Sequence, residues 1–437
     1  MGLASDTTKK RGIFYGWWVV LATSVVTLYG AGTFFYGFTA FFNPIIEEFG
    51  WSRAVTSLAF SIQRFEGGVA GPIVGFLVDR IGPRKLMLFG STVAGLGFVY
   101  FSFVDSLFSF FMAFIFISIG FSACLGSVGM AAVANWFIRR RSMALGLMMA
   151  GAGASGVIVP ILVWLIASFG WRTALVICGA GMLVIGIPFS ALVRHRPEQY
   201  GYLPDGDTVP SADPRDGREG LVDGEGVRFG EVDYSVRESL RTRAFWLLTL
   251  GLSFSQIATS SVVLHEIPYL TSVGISRGAA SLVVTFMTII SIVGRIGFGW
   301  LGDKFEKRYV LAGAYSMQAV GVLAFALISE TWHLVPFLLV FGLSYGGAIP
   351  LRPAIQGEYF GRTSFGSIQG LIAFATTAGG VIGPWLAGWI FDVQGSYRLA
   401  WILFSVTTLA GVPAFLVARR PVKSALPVQA PAEARQG

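Results

Sequence analysis

The chain has 437 residues, of which 54% are hydrophobic and only 13% are charged, and its mean hydropathy is +0.68. A soluble protein carries about 25% charged residues, so this composition excludes an ordinary soluble protein and indicates a polytopic membrane protein. The net charge of +8 could suggest nucleic-acid binding. The basic residues, however, fall in short loops between apolar runs, which is typical of an orientation signal. We therefore expect a lipid bilayer as partner and no nucleic acid.

Twelve apolar segments follow one another along the chain, each long enough to cross a bilayer. Clusters of positive charge, such as Arg139 to Arg141 after the fourth segment, fall on the side that holds both termini, which predicts that both termini are cytoplasmic. The expected location is a cell membrane, namely a bacterial inner membrane. The predicted spans are 14–43, 53–78, 84–104, 108–137, 142–168, 172–193, 243–271, 277–302, 308–329, 333–357, 364–391 and 398–419.

Residues 195–241 interrupt this pattern because they are rich in Pro, Gly and Asp and have little to bury, which is typical of a flexible linker. The linker divides the spans six and six. The sequence thus predicts an all-α membrane protein with twelve transmembrane helices in two pseudo-symmetric six-helix bundles. Its expected domains are an N-terminal tail at 1–13, bundles at 14–194 and 242–419, the linker, and a C-terminal tail at 420–437.

An internal repeat supports the division into halves. The stretch GPIVGFLVDRIGPRK in the first half matches GRIGFGWLGDKFEKR in the second, so that Gly75 and Asp79 correspond to Gly299 and Asp303. Two six-span halves with a site between them are the plan of an alternating-access carrier. We expect the charged residues of the two turns to close the cytoplasmic gate through charge contacts between the halves. These residues are Asp79, Arg80, Arg84, Asp303, Lys304 and Arg308.

The second copy of the repeat contains an arginine inside the apolar run. Arg295 lies eight residues before Asp303, hence about 12 Å from the turn. An unpaired guanidinium at such depth costs about 2.5–3.5 kcal/mol even on lenient insertion scales. A planar guanidinium can hold a carboxylate through two parallel hydrogen bonds. The alternative is structural, with Arg295 reaching the cytoplasmic face or bracing the turn through Asp303.

Several stretches carry a family resemblance: FYGWWVV and FFNPIIEEFGWSR around span one, NWFIRRRSMALG after span four, LHEIPYLTSVGIS in span seven, GRIGFGWLGD in span eight, and YGGAIPLRPAIQGEYFGRTSFGSIQG from span ten into eleven. With the repeated turn, they resemble the major facilitator superfamily. Within it, the chain is similar to the monocarboxylate transporter family and its bacterial relatives, including oxalate–formate exchangers. The resemblance implies a transporter in which Arg295 binds the substrate carboxylate in a passage between the halves.

The sequence departs from that family at three places. Ser291 stands where eukaryotic members often have an acid, and Tyr36 stands where they often have a lysine. Span eleven contains no lysine or arginine, whereas the oxalate exchanger has a cation there. A dicarboxylate held by two cations is therefore disfavoured and a monocarboxylate fits better. Ser291 and Tyr36 become candidate substrate-binding residues.

Other polar residues inside spans are candidates for binding or coupling. Glu66 and Arg64 in span two are candidates for proton coupling or gating, because a carboxyl group in apolar surroundings can exchange a proton near neutral pH. His265 in span seven is a second coupling or gating candidate. The hydroxyl group of Tyr345 in span ten could donate to a carboxylate. For each, a structural hydrogen bond or packing is the alternative.

We find no phosphate loop of the form G-x-x-x-x-G-K-[ST], no H-E-x-x-H and no strand-borne G-x-S-x-G. We therefore expect no enzyme, no cofactor and no metal site. The predicted function is secondary transport of a small organic anion, favouring a monocarboxylate, with proton symport or anion exchange and a functional monomer. Two alternatives stay open: a facilitator or exporter of drugs or sugars in which Arg295 is structural, and a membrane receptor that binds a carboxylate without carrying it.

Overall fold

The computed structural model of the protein describes residues 13–51, 53–206 and 233–422. All regular structure within these ranges is helical. Most of the helices are long and apolar, as expected in lipid, where a helix satisfies its own backbone hydrogen bonds.

The first half contains ten α-helices. Three of the predicted spans are interrupted by short segments of other helical type: a π-helix at Ala31–Tyr36 after α1, a 3₁₀ turn at Ser155–Val157 after α7, and a π-helix at Met182–Gly186 after α9. The α-helices are α1 (Tyr15–Gly30), α2 (Phe38–Phe49), α3 (Arg53–Ile81), α4 (Pro83–Phe101), α5 (Leu107–Cys124), α6 (Ser127–Trp136), α7 (Arg141–Ala154), α8 (Ile158–Phe169), α9 (Trp171–Gly181) and α10 (Ile187–Leu192).

The second half is more regular, with one short surface helix followed by six long ones. The short helix begins with a capping box, in which the side chains of Ser235 and Glu238 accept from each other's backbone N–H groups. The helices are α11 (Val236–Leu240), α12 (Arg243–Ser272), α13 (Arg277–Lys304), α14 (Lys307–Ala326), α15 (Leu334–Phe360), α16 (Phe365–Gln394) and α17 (Arg398–Val417).

The twelve predicted spans each coincide with a helix or with consecutive helices of the structure. By length and composition, ten of these helical segments within the described residues are suited to crossing a membrane. The helices at 53–81 and 83–101, which correspond to predicted spans two and three, lie outside that set, so their crossing stays a prediction. The proposed domain boundaries also stay a prediction.

Apolar clusters fill the two halves separately. A first cluster collects aromatic side chains from the first half, and two further clusters occupy the second half. Ala354 of α15 and Phe365 of α16 are members of the first-half cluster. The two halves therefore meet tightly at one end of the bundle, which is the predicted cytoplasmic end.

Glycines bring the halves into backbone contact at that end. Helix α3 packs on α16, and α7 packs on α13. Gly75 of α3 lies so close to the carbonyl of Gly366 that a Cβ atom there would overlap it, and Gly146 of α7 lies equally tightly on the carbonyl of Arg295. Gly67, two turns before Gly75 on the same helix, has no such neighbour within 4 Å. The closed end therefore depends on residues without a side chain.

Replacing Gly75 by Ala is expected to separate α3 from α16 and open the predicted cytoplasmic end, because the added methyl overlaps backbone atoms that have no room to move. The readout is thiol labelling of Ala354→Cys, a position that is fully buried. The natural cysteines, Cys124 and Cys178, are buried and give little background. We expect labelling to be at least several-fold faster in Gly75→Ala, with Gly67→Ala as the matched control; equal rates in both variants would contradict the prediction.

Candidate functional site

Arg295 lies at the interface between the halves rather than in an open passage. Its side chain is 5% exposed, and its Nη1 atom donates to the carbonyl oxygen of Met149 on α7 at 2.6 Å. Its guanidinium also lies against Gly153, where the absence of a side chain makes room for it. The expectation of a water-filled passage at Arg295 is therefore wrong for this conformation, because the close contact of α7 with α13 covers the guanidinium.

This guanidinium is poorly satisfied, however. A buried arginine has five N–H donors, yet one neutral carbonyl is its only hydrogen-bond acceptor among the described residues, and the buried Nε atom has no partner. None of the salt bridges of the described residues involves Arg295. In particular, Asp303 does not brace it, which removes that structural alternative. An uncompensated buried cation is costly and calls for an anion.

Two tyrosines predicted as binding residues lie within electrostatic range of Arg295. They are Tyr36, at the end of the π-helix after α1, and Tyr345 on α15. Tyr36 is 46% exposed, while Tyr345 is half-buried and stacks on Phe341 with ring centroids 5.9 Å apart. Tyr36 belongs to the first half, whereas Arg295 and Tyr345 belong to the second. Three of the four predicted substrate-binding residues therefore interact electrostatically across the interface.

Ser291, the fourth predicted binding residue, is fully buried. Its hydroxyl group donates to the carbonyl of Thr288 on its own helix at 2.7 Å, and its backbone contacts Gly346 of α15. In this conformation Ser291 therefore belongs to the contact between α13 and α15. Its hydroxyl group is not offered to a substrate.

A separate cavity of about 300 Å³ lies beside Glu66. Glu66 accepts a hydrogen bond from Ser122 at 3.0 Å. Gln369 and Gly370 of α16 complete the lining, so the cavity lies between the halves. The chain is irregular at this point, since the π-helix and the break between α5 and α6 at Gly126 both border the cavity. Non-helical backbone at membrane depth is tolerated where it lines a cavity.

Arg64, the neighbouring coupling candidate, has a side chain outside the described part of the structure. His265 is half-buried, and its Nε2 atom lies 3.1 Å from the carbonyl of Pro384 on α16. Its ring also packs on Tyr397 at 5.3 Å. These contacts tie α12 to α16 and α17 within the second half. Next to it, Glu266 is 1% exposed and neither of its carboxylate oxygens has a partner among the described residues.

The two turn aspartates, Asp79 and Asp303, join the halves symmetrically. Asp79 accepts from the backbone N–H groups of Gly366 at 2.8 Å and Ser367 at 2.7 Å, and from the Ser367 hydroxyl group. Asp303 accepts from the N–H groups of Ser142 at 2.8 Å and Met143 at 2.9 Å. Each carboxylate thus caps the free N-terminus of a helix in the other half, α16 or α7, where the helix dipole also favours negative charge.

For the six residues that the sequence analysis named, the prediction of charge–charge contacts between the halves is therefore wrong. An ion pair between Arg362 and Glu198 at 3.0 Å does join the second half to the linker end of the first half. Arg308 pairs with Glu306 at 2.9 Å, within its own half, and Lys304 lies over the ring of Trp300 at 4.0 Å. Arg80 and Arg84 are exposed. Backbone amides at helix ends take the place that the sequence analysis assigned to these cations, because the donors belong to the main chain and carry no sequence signal.

Two aspartates at the ends of the linker were missed by the sequence analysis. Asp205 accepts from the N–H groups of Ile138, Arg139 and Arg140 in the turn before α7. Asp233 accepts from those of Arg362 and Thr363 in the corresponding turn before α16. Both lie in a segment rich in aspartate, so nothing in the sequence distinguished them as structural residues. Each turn is thus held by one carboxylate from its own half's linker end and one from the opposite half.

The fold and site define a membrane transporter built from two halves around an interface that bears charge. A model of the Major Facilitator Superfamily matches residues 22–270 and 246–436. The chain therefore belongs to the Major Facilitator Superfamily. The resemblance to the monocarboxylate transporter family within it is confirmed by curated relatives.

Monocarboxylate transporter 12 of Mus musculus is 26% identical over 416 residues, which cover 89% of this chain and 82% of that protein. Monocarboxylate transporter 13 of Bos taurus is 25% identical over 406 residues, covering 91% of this chain and 88% of that protein. The similarity thus extends along nearly the whole of both chains.

Solved structures show the same fold at lower identity. The E. coli fucose:proton symporter FucP superimposes with a TM-score of 0.66 at 16% identity, covering 92% of this chain and 98% of that one. The human organic anion transporter MFSD10 gives a TM-score of 0.65 at 13% identity, covering 92% and 99%. At these identities the likeness establishes the all-helical transporter fold and nothing finer.

Proposed function

We propose that the protein is a secondary transporter of small organic anions whose carboxylate binds Arg295, with monocarboxylates as the first class to test. The single observation that carries the proposal is the guanidinium of Arg295, buried between the halves with one neutral acceptor and no carboxylate partner among the described residues. The names of the curated relatives support the choice of monocarboxylates.

A substrate carboxylate would supply the charged hydrogen-bond acceptors that Arg295 lacks in this conformation. A carboxylate that enters beside Tyr36 and Tyr345 would supply two charged acceptors in place of the Met149 carbonyl. A carboxylate brings the opposite charge and can accept two parallel N–H bonds from a guanidinium, whereas the Met149 carbonyl is a single neutral acceptor. Because Met149 belongs to α7 and Arg295 to α13, exchanging one acceptor for the other would loosen the contact between the halves. Substrate binding and rearrangement of the halves would thus be linked, because both depend on which acceptor the Nη1 atom of Arg295 uses.

The gate geometry supports a conformation closed at the predicted cytoplasmic end, with Asp79 and Asp303 holding the opposite half. We propose that this conformation is the outward-facing stage of alternating access, with both termini on the cytoplasmic side of a cell membrane.

The test is uptake of labelled organic acids into proteoliposomes that contain the purified protein. We expect saturable uptake of at least one monocarboxylate, with competition among related acids. Uptake of drugs or sugars without uptake of any organic acid would favour the alternative in which Arg295 is a brace, a role that its bond to Met149 could serve. Binding of acids without any uptake would favour a receptor.

Glu66 is proposed as the proton-coupling group, because its carboxyl group borders an internal cavity between the halves and, among the described residues, accepts a hydrogen bond from Ser122 alone. Glu66→Gln keeps the shape and removes the titration, so we expect uptake to lose its stimulation by an inward pH gradient. Exchange of internal against external anion is expected to persist. Ser122→Ala, which leaves the carboxyl group in place, is the control.

If Glu66→Gln responds to the pH gradient as the parent protein does, Glu66 is not the coupling site. If the parent protein ignores the gradient and is stimulated by unlabelled anion on the opposite side, the coupling is anion exchange.

A further inference from the structure

A second arginine, Arg352 on α15, lies inside a predicted span and was overlooked by the sequence analysis, although the stretch IPLRPAIQ places it within an apolar run between two prolines. Its Nε atom donates to the hydroxyl oxygen of Tyr315 on α14 at 2.6 Å. Its Nη1 atom donates to the side-chain oxygen of Gln256 on α12 at 3.4 Å. Both partners are neutral, and the salt bridges of the described residues do not include Arg352.

Arg352 points into the membrane instead of toward the nearest surface. It lies eight residues before Phe360, the end of α15, and hence about 12 Å from that end. Phe245 near the start of α12 packs on Phe360, with ring centroids 6.3 Å apart, which sets the two helix ends level. Gln256 lies eleven residues beyond Phe245, hence about 16 Å further in. The guanidinium is therefore held within the membrane-spanning part of the bundle by Tyr315 and Gln256.

The face of α15 that carries Arg352 is turned toward the interior of the bundle. No residue of α15 between Phe341 and Phe360 is exposed, so this part of the helix has no face toward lipid. Tyr345, Ile349 and Arg352 are half-buried and occur at helical spacing, which puts them on one face. Ile349 on this face packs against the first-half cluster. The face is thus turned toward the space between the halves.

The same face connects Arg352 to the Arg295 site. Tyr345, seven residues before Arg352, lies within electrostatic range of Arg295, and seven residues are about 10 Å along a helix. Both arginine side chains are long, and both belong to the second half. Arg295 and Arg352, two cations without a carboxylate partner among the described residues, are thus both linked to Tyr345: Arg295 electrostatically, and Arg352 through a shared face of α15.

We propose that Arg352 is a second anion-recognition residue and that the preferred substrate is a small organic acid with a second acceptor at its far end, for which a second carboxylate is the strongest case. The proposal rests on the proposed function, in which Arg295 takes the first carboxylate. Gln256 and Tyr315 position the guanidinium and satisfy two of its donors, which leaves its remaining N–H groups for the substrate. This revises the preference for monocarboxylates, which rested on the lack of a cation in span eleven and on the family resemblance.

The test compares acids of equal chain length that differ only at the far end: butyrate with succinate, and pentanoate with glutarate. We expect the parent protein to favour the dicarboxylate of a pair by about tenfold or more in kcat/KM. Arg352→Gln is expected to remove most of that preference by raising KM for the dicarboxylate, and to change uptake of the monocarboxylate by less than about twofold. Arg352→Lys keeps the positive charge but lacks the planar guanidinium. Its preference for the dicarboxylate is therefore expected to lie between those of the parent protein and Arg352→Gln.

Arg308→Gln is the matched control, since Arg308 pairs with Glu306 within its own half and lies outside the proposed site. A parent protein that prefers the monocarboxylate in both pairs would overturn the proposal without any variant being needed. An equal loss for both acids in Arg352→Gln and Arg352→Lys would also overturn it and make Arg352 a structural brace. If the parent protein carries none of the four acids or any other organic anion, it is the proposed function itself that fails.

Discussion

Arg295→Lys is expected to lower kcat/KM for uptake of a carboxylic acid by about 10- to 100-fold while the protein still folds. Lysine keeps the positive charge but loses the planar fork that can hold a carboxylate through two parallel bonds. It can still donate to the carbonyl of Met149. The closed contact between α7 and α13 should therefore survive, and the loss should fall on binding.

The measurement is uptake in proteoliposomes at matched protein content, with thermal stability of the purified variant as a check on folding. Arg308→Lys is the control, because Arg308 pairs with Glu306 on the surface of its own half. Normal uptake by a well-folded Arg295→Lys protein would end the assignment of Arg295 to substrate binding. A fall in thermal stability without a fall in uptake would show that its bond to Met149 is its main role.

Asp79→Asn is expected to shift the protein toward a form open at the predicted cytoplasmic end. Asp79 accepts three hydrogen bonds from α16 of the opposite half. Asparagine replaces one acceptor oxygen by an NH₂ group, which faces N–H donors and has no acceptor there. Bonds to a charged group are worth about 1.5–3 kcal/mol each, so losing one such bond moves a two-state equilibrium by about 10- to 100-fold.

Thiol labelling of Ala354→Cys measures this shift, because Ala354 is fully buried where the halves meet. Asp303→Asn should act in the same direction through α7, and the double variant should label fastest. Asp205→Asn is the matched control: its carboxylate also caps backbone N–H groups, but those of a turn in its own half. It should lower stability and leave labelling unchanged. Slow labelling of all four variants would mean that the aspartates do not hold the gate.

The fold follows from the sequence to a large extent because its signals are local. Apolar length, loop charge and the repeated turn each report on a short stretch, and a helix in lipid satisfies its backbone within that stretch. The same reasoning found Arg295, whose charge conflicts with its surroundings. It did not foresee the breaks in spans one, four, five and six, such as the one at Gly126, since these depend on neighbours across the bundle.

The site was harder to predict because it is formed by groups far apart in the sequence. Tyr36 and Tyr345 were candidate substrate-binding residues, and in the structure both interact electrostatically with Arg295. The acceptor that Arg295 uses here, the carbonyl of Met149, is a main-chain atom with no signature in the sequence. The partners of Asp79 and Asp303 are main-chain atoms as well.

By itself, the sequence determined that this protein is a twelve-segment helical membrane protein built from two related halves with a cation inside the second, since hydrophobic length and charge are properties of the residues in order. Only the tertiary structure decided which groups face which. It buried Arg295 against α7, turned the two aspartates onto helix ends of the opposite half, and placed Arg352 on the face that borders the interface. The physical reason is that backbone amides, carbonyls and glycine contacts act at a distance in the chain, and their pairing is fixed only when the helices pack.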